Sequence, residues 1–400
     1  MVPKERTCYK RMKNRTGGGR RPLELYIHIP FCVRKCLYCD FLSAPSDETV
    51  REAYLEALLA EIRGRAEEYR AYSVISLFVG GGTPSVMEGE QLERLLHAVR
   101  EAYHMEADAE VTVEVNPGTV DAGKLSCYRR AGVNRLSIGL QSANNEELRK
   151  IGRIHTWEQF VITWKLARQA GFSNMNVDIM SALPGQTPES YRTTLEKVLA
   201  LNPPPEHISA YSLIIEEGTP FFERYEKGKL DLPDEDVDRE LYHETKRILA
   251  KNGYERYEIS NYAKEGFACR HNCGYWRRAD YVGFGLGAAS LVENVRFRNG
   301  SVLQAYLENP LACREEIQVL SREEQMEEFM FLGLRLTEGV WAEQFEENFG
   351  SKLTDIYGRV IEKNVRDELL SWDGPDEKRL FLTDKGLDLS NYVMAQFLMS

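Results

Sequence analysis

The chain has 400 residues, 43% of them apolar and 28% charged, with a formal net charge of −11, as expected for a globular protein of two or three domains. No run of about 18 apolar residues occurs, so the sequence predicts no membrane-spanning helix. Eight cysteines, three of them clustered, are typical of a reducing compartment rather than a disulfide framework, and we expect a cytoplasmic protein.

The charge is unevenly distributed along the chain. Residues 1–22 hold eight Lys or Arg and one Glu, a local charge of +7, and we expect a disordered tail there. The tail has no apolar segment of the kind found in secretory signals. The other residues carry a charge of −18, which argues against nucleic acid as the main partner.

From about Glu24 to Leu213, short β-rich segments alternate with amphipathic helical segments. Such alternation predicts a parallel sheet. Six strand–helix units are too few for a complete eight-stranded barrel, so we predict a partial (βα)6 TIM-like barrel. The predicted strands are 24–31, 74–79, 110–115, 134–140, 174–180 and 207–213, and the predicted helices are 48–69, 89–103, 121–131, 156–170 and 188–200.

The first predicted strand is followed by Cys32, Cys36 and Cys39, with the spacing C-x3-C-x2-C. Three thiolates on one loop can bind three irons of a [4Fe-4S] cluster and leave the fourth iron open, whereas such clusters usually have four cysteine ligands. The alternatives are a structural zinc loop and unrelated core cysteines. A structural zinc needs four closed ligands, which this loop does not supply, so the open cluster is favoured.

Polar residues and glycines gather where the later strands end. The second strand ends in Gly80–Pro84, where backbone N–H groups can approach a ligand closely; the Gly-Lys-Ser/Thr ending of a P-loop is absent. The helix-facing side of a barrel strand must be apolar, so the period of two turns Glu114, Gln141 and Asp178 inward. These residues lie near carboxyl ends of strands, where barrel active sites form, and they predict a polar ligand.

The alternation stops between residues 214 and 300. A helix is predicted near 234–252, followed by Cys269-Arg-His-Asn-Cys-Gly-Tyr-Trp276. His271 is either a metal or haem ligand or a structural histidine. Cys269 and Cys273 are either redox or metal-binding groups or buried small hydrophobic residues.

The C-terminal part is predicted to be mainly helical, with helices at 321–336, 341–349, 354–371 and 384–398 and a strand at 379–383. This order is typical of a winged-helix-like domain. Residues 321–400 hold nine basic and 17 acidic residues, so we expect a packing or docking role rather than DNA binding. The predicted domains are a tail at 1–22, a partial barrel with an extension at 23–300, and the C-terminal domain at 301–400.

Several of these motifs resemble one known family. The cysteine loop is similar to the hallmark of the radical S-adenosylmethionine (SAM) superfamily. Tyr26-Ile-His-Ile-Pro-Phe-Cys32, Gly80–Pro84, Val113-Glu-Val-Asn-Pro117 and Ser137-Ile-Gly-Leu-Gln-Ser142 resemble motifs of the oxygen-independent coproporphyrinogen III oxidase family. His271-Asn-Cys-Gly-Tyr-Trp276 is similar to the H-N-x-x-Y-W pattern of that family's haem chaperone branch, HemW.

One departure from the oxidase pattern bears on the activity. The oxidase has a further cysteine two positions after the third, and this chain has Phe41 there. Together with the H-N-x-x-Y-W pattern, Phe41 favours the haem chaperone over the oxidase.

The resemblance implies a cofactor and a cargo. Cys32, Cys36 and Cys39 would bind the [4Fe-4S] cluster, and SAM would occupy the open iron. His271 would be the haem ligand, with Tyr275 and Trp276 as stacking or packing partners. The implied SAM site consists of Tyr26, Tyr38, Gly81, Gly82, Thr83, Glu114, Gln141, Arg153, Asp178 and Ser212.

The function implied is a haem chaperone that transfers haem to respiratory or membrane acceptor proteins. A peripheral membrane contact and a homodimer are further expectations. The alternative is an oxidase that decarboxylates porphyrinogen propionates through a radical formed from SAM. A plain iron–sulfur electron carrier would explain the cysteines but not the SAM-type pocket.

Overall fold

In a computed structural model, which describes residues 19–374 and 376–399, six parallel strands follow one another in chain order. The strands are β1 (Arg21–Ile29), β2 (Tyr72–Gly81), β3 (Met105–Val115), β4 (Arg135–Gln141), β5 (Met175–Ser181) and β6 (His207–Ser212). The helices between them are α1 (Glu48–Gly64), α2 (Gly89–Ala102), α3 (Ala122–Arg130), α4 (Asn145–Lys150), α5 (Trp157–Gln169) and α6 (Pro188–Leu199). The predicted strand–helix alternation is confirmed.

Further strands extend this sheet on both sides, and it does not close. The remaining elements up to residue 319 are α7 (Pro220–Glu226), α8 (Glu235–Lys251), β7 (Glu255–Arg256), β8 (Asn261–Ala263), α9 (Arg270–Trp276), β9 (Tyr281–Phe284), β10 (Ala289–Val292), β11 (Val295–Asn299), α10 (Leu303–Glu308) and β12 (Arg314–Val319). The strand order is β12-β11-β10-β9-β1-β2-β3-β4-β5-β6-β8-β7. The sheet ends at β12 on one side and at β7 on the other, so β1 to β6 form an open barrel. The predicted partial (βα)6 fold is confirmed.

The two faces of the central strands differ as the period of two requires. In β1, Leu25 and Ile27 are fully buried in the core shared with the helices. The residues that alternate with them, Glu24, Tyr26 and His28, point to the other face, the barrel interior, where His28 is 7% exposed. The interior therefore buries polar side chains, and each of them needs a partner.

Local sequence determines where the crossover helices begin. The Asp47 side chain accepts a hydrogen bond from Val50 N at the start of α1 (2.9 Å). Thr156 and Thr187 form capping boxes at the starts of α5 and α6, and Pro188 occupies the first turn of α6. These caps satisfy backbone N–H groups that have no partner inside the helix.

Residues 322–397, here called the C-terminal module, have a core of their own. The module consists of α11 (Arg322–Gly333), β13 (Val340–Trp341), α12 (Ala342–Phe349), α13 (Leu353–Arg366), β14 (Leu370–Trp372), β15 (Arg379–Leu382), α14 (Asp384–Asp388) and α15 (Ser390–Ala395). Its three strands form a separate sheet of order β13-β15-β14. Helices followed by an antiparallel ribbon agree with the predicted winged-helix-like arrangement.

The boundary between the two hydrophobic cores lies later in the chain than residue 301. Tyr306 is buried in the core of the large sheet, and β12 pairs with β11 in that sheet. The second core begins at Met326. The predicted boundary at 300 therefore differs from the packing, because the segment up to Val319 hydrogen-bonds to the barrel extension.

The predicted tail lies largely outside the described residues, which begin at Gly19. The first strand starts at Arg21, within the predicted tail. Across residues 19–374 and 376–399, no helix combines the length and the apolar character needed to cross a membrane.

Replacement of Phe345 by Ala should destabilise the C-terminal module. Phe345 is fully buried against Phe349 and Tyr357, with ring centroids 4.8 and 6.0 Å away. Removing a buried phenylalanine ring leaves a cavity and costs about 3–5 kcal/mol. The matched control is Phe41→Ala, since Phe41 is 61% exposed and its loss should cost less than about 0.5 kcal/mol. Equal losses of unfolding free energy in denaturant titrations would contradict the assignment of this core.

Candidate functional site

A cavity of about 300 Å³ lies at the carboxyl ends of the central strands. The loop between β1 and α1 forms one wall. This loop is closed on itself, because Cys32 N donates to Ala44 O (3.1 Å) and Ala44 N donates to Pro30 O (3.0 Å). The cavity is lined by the three clustered cysteines, Cys32, Cys36 and Cys39.

The three thiols are free and half-buried. Burial raises the pKa of the Cys39 thiol to about 11, so a bound metal is needed to stabilise its thiolate at neutral pH. Thr83 Oγ1 lies 3.3 Å from Cys32 Sγ, and Arg153 Nη1 lies 3.7 Å from Cys36 Sγ. A hydroxyl and a guanidinium beside the sulfurs would stabilise thiolate charge.

The arrangement of the donors fits a cluster better than a single ion. Among the described residues, no group of three or more His, Cys, Asp or Glu could hold one metal ion. In a [4Fe-4S] cluster each thiolate binds a different iron, so the three sulfurs need not converge. No fourth cysteine is among the described residues that line the cavity, so the donor set fits a cluster with one ligand that is not cysteine.

Two buried carboxyl groups face this cavity from β3 and β5. Burial, and secondarily the charge of Asp178, raises the pKa of Glu114 to about 8; Gly81 N donates to Glu114 Oε2 (3.1 Å). Burial also raises the pKa of Asp178, whose carboxylate accepts from Asn176 Nδ2 (2.6 Å) and Ser137 Oγ (3.3 Å). Both groups would be more easily ionised beside a cationic ligand.

Glycines bring backbone close to the cavity at two places. Gly81 has a φ of +109°, and a Cβ there would lie 2.5 Å from the His28 ring. At Gly139 a Cβ would lie 2.5 Å from Arg153 Nη2, which donates to Gly139 O (2.8 Å). Position 81 therefore requires glycine, whereas a side chain at position 139 would displace the Arg153 guanidinium from the cavity wall, where the Gly139 carbonyl holds it.

The structure brings most of the predicted site residues together. The predicted residues that line the cavity are Cys32, Cys36, Tyr38, Cys39, Gly81, Gly82, Thr83, Glu114, Gln141, Arg153, Asp178 and Ser212. Tyr26 and His271 are not among the lining residues. The assignment of these residues to the cluster, to SAM and to haem stays a prediction.

Sequence reasoning missed several lining residues. Asn116 Nδ2 donates to Thr83 Oγ1 (2.8 Å), and Tyr211 OH donates to Gln141 Oε1 (3.0 Å). The signal for Tyr211 was the period of two in β6, which places it on the same face as Ser209. Gly139 could not be singled out, because its role depends on Arg153 from another part of the chain.

Tyr26 lies below the cavity, inside the barrel. Its hydroxyl lies 2.9 Å from His28 Nδ1, and His28 Nε2 lies 2.8 Å from Leu42 O in the cysteine-loop wall. The Tyr26 ring stacks on Phe78 with centroids 6.5 Å apart. Tyr26 and His28 therefore support the floor and wall of the cavity from beneath.

His271 lies deeper in the same barrel, near the amino ends of the strands. Its ring stacks on Phe78 (5.2 Å between centroids), Nδ1 lies 2.8 Å from Ser76 Oγ, and Nε2 lies 3.0 Å from Tyr275 OH. Ser76 precedes Gly81 by five residues, roughly 16 Å along a strand. His271 is 1% exposed, so in this conformation no face of it is open to a ligand from outside.

A carboxylate of β3 holds the helix that carries His271. Glu110 Oε1 accepts hydrogen bonds from Arg270 N (3.0 Å) and His271 N (3.2 Å) at the start of α9, and Cys269 Sγ lies 3.4 Å away. Burial, and secondarily the charge of Arg135, lowers the pKa of His271 to about 3. The imidazole is therefore neutral at physiological pH, which is the protonation state that binds metals.

Comparison with known proteins gives consistent results. The model of the radical SAM superfamily matches residues 26–198, and that of the HemN C-terminal domain matches residues 320–389. The chain is 40% identical to heme chaperone HemW of Lactococcus lactis over 95% of this chain and 98% of that protein. It is 37% identical to heme chaperone HemW of Bacillus subtilis, over 93% and 98%.

A solved structure matches nearly the whole chain. Coproporphyrinogen III oxidase (HemN) of Escherichia coli, described as a radical SAM enzyme, superposes with a TM-score of 0.82 at 26% identity. The match covers 97% of this chain and 92% of that one. The likeness therefore includes both the barrel and the C-terminal module.

Replacement of Glu114 by Gln should change how stability depends on pH in the protein without cluster or SAM. The pKa of Glu114 is raised from 4.5 to about 8 in the folded protein. The contribution of the protonated carboxyl is thus fully present below pH 4.5 and is lost as pH rises through 8. From pH 5 to 8, wild type should lose a few kcal/mol of unfolding free energy relative to Glu114→Gln, since one pKa unit is about 1.4 kcal/mol.

The control is Glu52→Gln, which should give the opposite sign. A hydrogen bond from Arg94 lowers the pKa of Glu52, so its contribution is present above pH 4.5 and is lost in acid. Denaturant titrations at several pH values measure both differences. Parallel pH profiles for wild type and Glu114→Gln would show that Glu114 is not held neutral.

Proposed function

The chain belongs to the HemW family of the radical SAM superfamily, and we propose that it is a haem chaperone that carries haem to acceptor proteins. The observation that carries the proposal is sequence identity of 37–40% to two heme chaperones over more than nine tenths of the chain. The acceptors we propose are respiratory or membrane proteins, reached from the cytoplasm by peripheral contact with the membrane. A homodimer is part of the same proposal.

The resident cofactors of the proposed chaperone are a [4Fe-4S] cluster and SAM. Cys32, Cys36 and Cys39 would hold the cluster, whose open iron SAM would occupy. Bound together, these groups supply one-electron redox chemistry. The free thiols, the missing fourth cysteine and the glycine-lined wall support this assignment.

The remaining residues of the cavity would position SAM. Glu114 and Asp178 are suited to its ammonium and ribose hydroxyls, and the fixed Arg153 guanidinium is suited to its carboxylate. Tyr26 would act from beneath the floor through His28, since it does not line the cavity.

Haem is the cargo, and His271 is its proposed ligand. The neutral imidazole and its aromatic neighbours support this role. The burial of His271 requires that α9 or its covering move before haem can reach the imidazole.

A second function, porphyrinogen decarboxylation, is favoured by the likeness to the oxidase over both parts of the chain. Phe41 stands where the oxidase pattern has a further cysteine, which favours the chaperone. Anaerobic incubation with coproporphyrinogen III, SAM and a reductant tests this alternative, which formation of vinyl groups would establish.

Replacement of Cys36 by Ala should abolish the cluster. With one of three thiolates removed, iron bound after anaerobic reconstitution should fall from about four atoms per chain to near zero. The control is Cys127→Ala, since Cys127 is also free and half-buried but lies outside the cavity. Iron and sulfide analysis and electron paramagnetic resonance measure the result. Full cluster content in Cys36→Ala would overturn the proposed ligand set.

Replacement of His271 by Ala should weaken haem binding about tenfold or more, measured by Soret titration, because an axial ligand is lost. The matched control is His207→Ala. His207 is also buried, with Nδ1 2.6 Å from Asn176 Oδ1 and Nε2 2.8 Å from Tyr257 OH. If both variants lose haem equally, the effect is structural and His271 is not the ligand.

A further inference from the structure

The C-terminal module covers the outer side of α9, the helix with the H-N-x-x-Y-W pattern, through α11 and the turn before β13. Arg277 Nη2 pairs with Glu338 Oε2 (2.9 Å), and Arg278 Nε pairs with Glu328 Oε2 (2.8 Å). The guanidinium of Arg335 lies 4.3 Å from the ring centroid of Trp276. Thus α9 is enclosed between the barrel interior on one side and these residues on the other.

The two ion pairs have short N–O distances, and their side chains are largely shielded from solvent. The side chains of Arg277 and Glu338 are 22% and 21% exposed, and those of Arg278 and Glu328 are 11% and 7% exposed. Glu328 also pairs with Arg296 (2.7 Å), and Glu338 accepts from Trp341 Nε1 (3.0 Å). Removal of the cover without replacement of its carboxylates would take an anionic partner from each of these two partly buried cations, which is unfavourable.

Backbone contacts add to this closure. Thr337 N donates to Tyr257 O (3.0 Å), and Thr337 Oγ1 donates to Arg256 O (2.9 Å). Glu338 follows directly in the chain. The closed arrangement is therefore the stable one, and exposure of His271 requires these contacts to break.

We propose that Glu328 and Glu338 close the haem site over His271 and that, when they withdraw, Arg277 and Arg278 bind the two propionates of haem in their place. This inference rests on the proposed haem function. It specifies that haem enters from the side of the C-terminal module, that Glu328 and Glu338 form the lid, and that Arg277 and Arg278 select for the propionates.

The chemistry of haem matches what the lid covers. Haem is an apolar plate with two carboxylates at one edge. Arg277 and Arg278 are adjacent cations suited to bidentate carboxylate binding, and Trp276 and Tyr275 supply aromatic surface one turn from His271. One pair of carboxylates replaces another, so the cations are paired in both states. The exchange thereby offsets the cost of opening.

Haem association kinetics test the lid. Glu338→Gln removes the negative charge opposite Arg277 and should raise the association rate of hemin at least threefold in stopped-flow Soret measurements on the full chain. The control is Glu68→Gln, which weakens a more exposed pair between Glu68, before β2, and Arg314 of β12 (2.7 Å) and should leave the rate unchanged. Glu328→Gln should act as Glu338→Gln does, provided that thermal unfolding shows each variant to be folded.

Hemin and hemin dimethyl ester together test the propionate sites. Wild type should bind hemin more tightly than the ester. Arg277→Gln should weaken hemin binding about tenfold and leave ester binding nearly unchanged, whereas Glu338→Gln should preserve the preference for hemin.

The outcomes separate this inference from the proposed function. If folded Glu338→Gln and Glu328→Gln associate with hemin no faster than Glu68→Gln, the lid is overturned. If Arg277→Gln weakens both ligands equally, the propionate assignment is overturned. If wild type binds no hemin saturably, the haem function itself fails, whatever the variants do.

Discussion

The barrel interior has two regions, a cavity at the carboxyl ends of the strands and the site of α9 nearer their amino ends. Their separation depends on the hydrogen bonds between the buried Glu110 carboxylate and the start of α9. An open barrel with a polar interior cannot leave that interior empty, because each buried polar group needs a partner. Glu110 accepts hydrogen bonds from the first N–H groups of α9, so the start of this short helix is held inside the barrel, with His271 against β2. The upper half remains open, and the cysteine-lined cavity occupies it.

This division explains the glycine in the middle of the H-N-x-x-Y-W segment. A Cβ at Gly274 would overlap the carboxylate of Glu24 on β1. Glu24 is fully buried, its pKa is raised well above the ordinary value by burial, and its Oε2 lies 3.8 Å from His271 Nδ1. A side chain at position 274 would have to displace this buried carboxylate, so glycine lets α9 lie against β1 with His271 on Phe78.

The sequence alone predicted those features of the barrel that follow from the alternation of residues along a strand. Alternation within β3 and β5 predicted that Glu114 and Asp178 face inward, and both line the cavity. It could not reveal that Arg153 is fixed by the carbonyl of Gly139, since that contact joins separate elements. The burial of His271 was equally hidden. It depends on β2, β3 and the C-terminal module meeting around a helix of seven residues.

The candidate cofactor cavity and His271 share one barrel but not one space. Tyr26 and Phe78 lie between them and form a chain of contacts: the Tyr26 hydroxyl reaches His28 beneath the cavity, and Phe78 stacks on Tyr26 and on His271. These packed rings stand between the cavity and His271, so a displacement of one ring would press on the next. A ligand in the cavity would contact the wall that His28 supports through Leu42, whereas α9, which carries His271, is covered at the opposite end by residues of the C-terminal module.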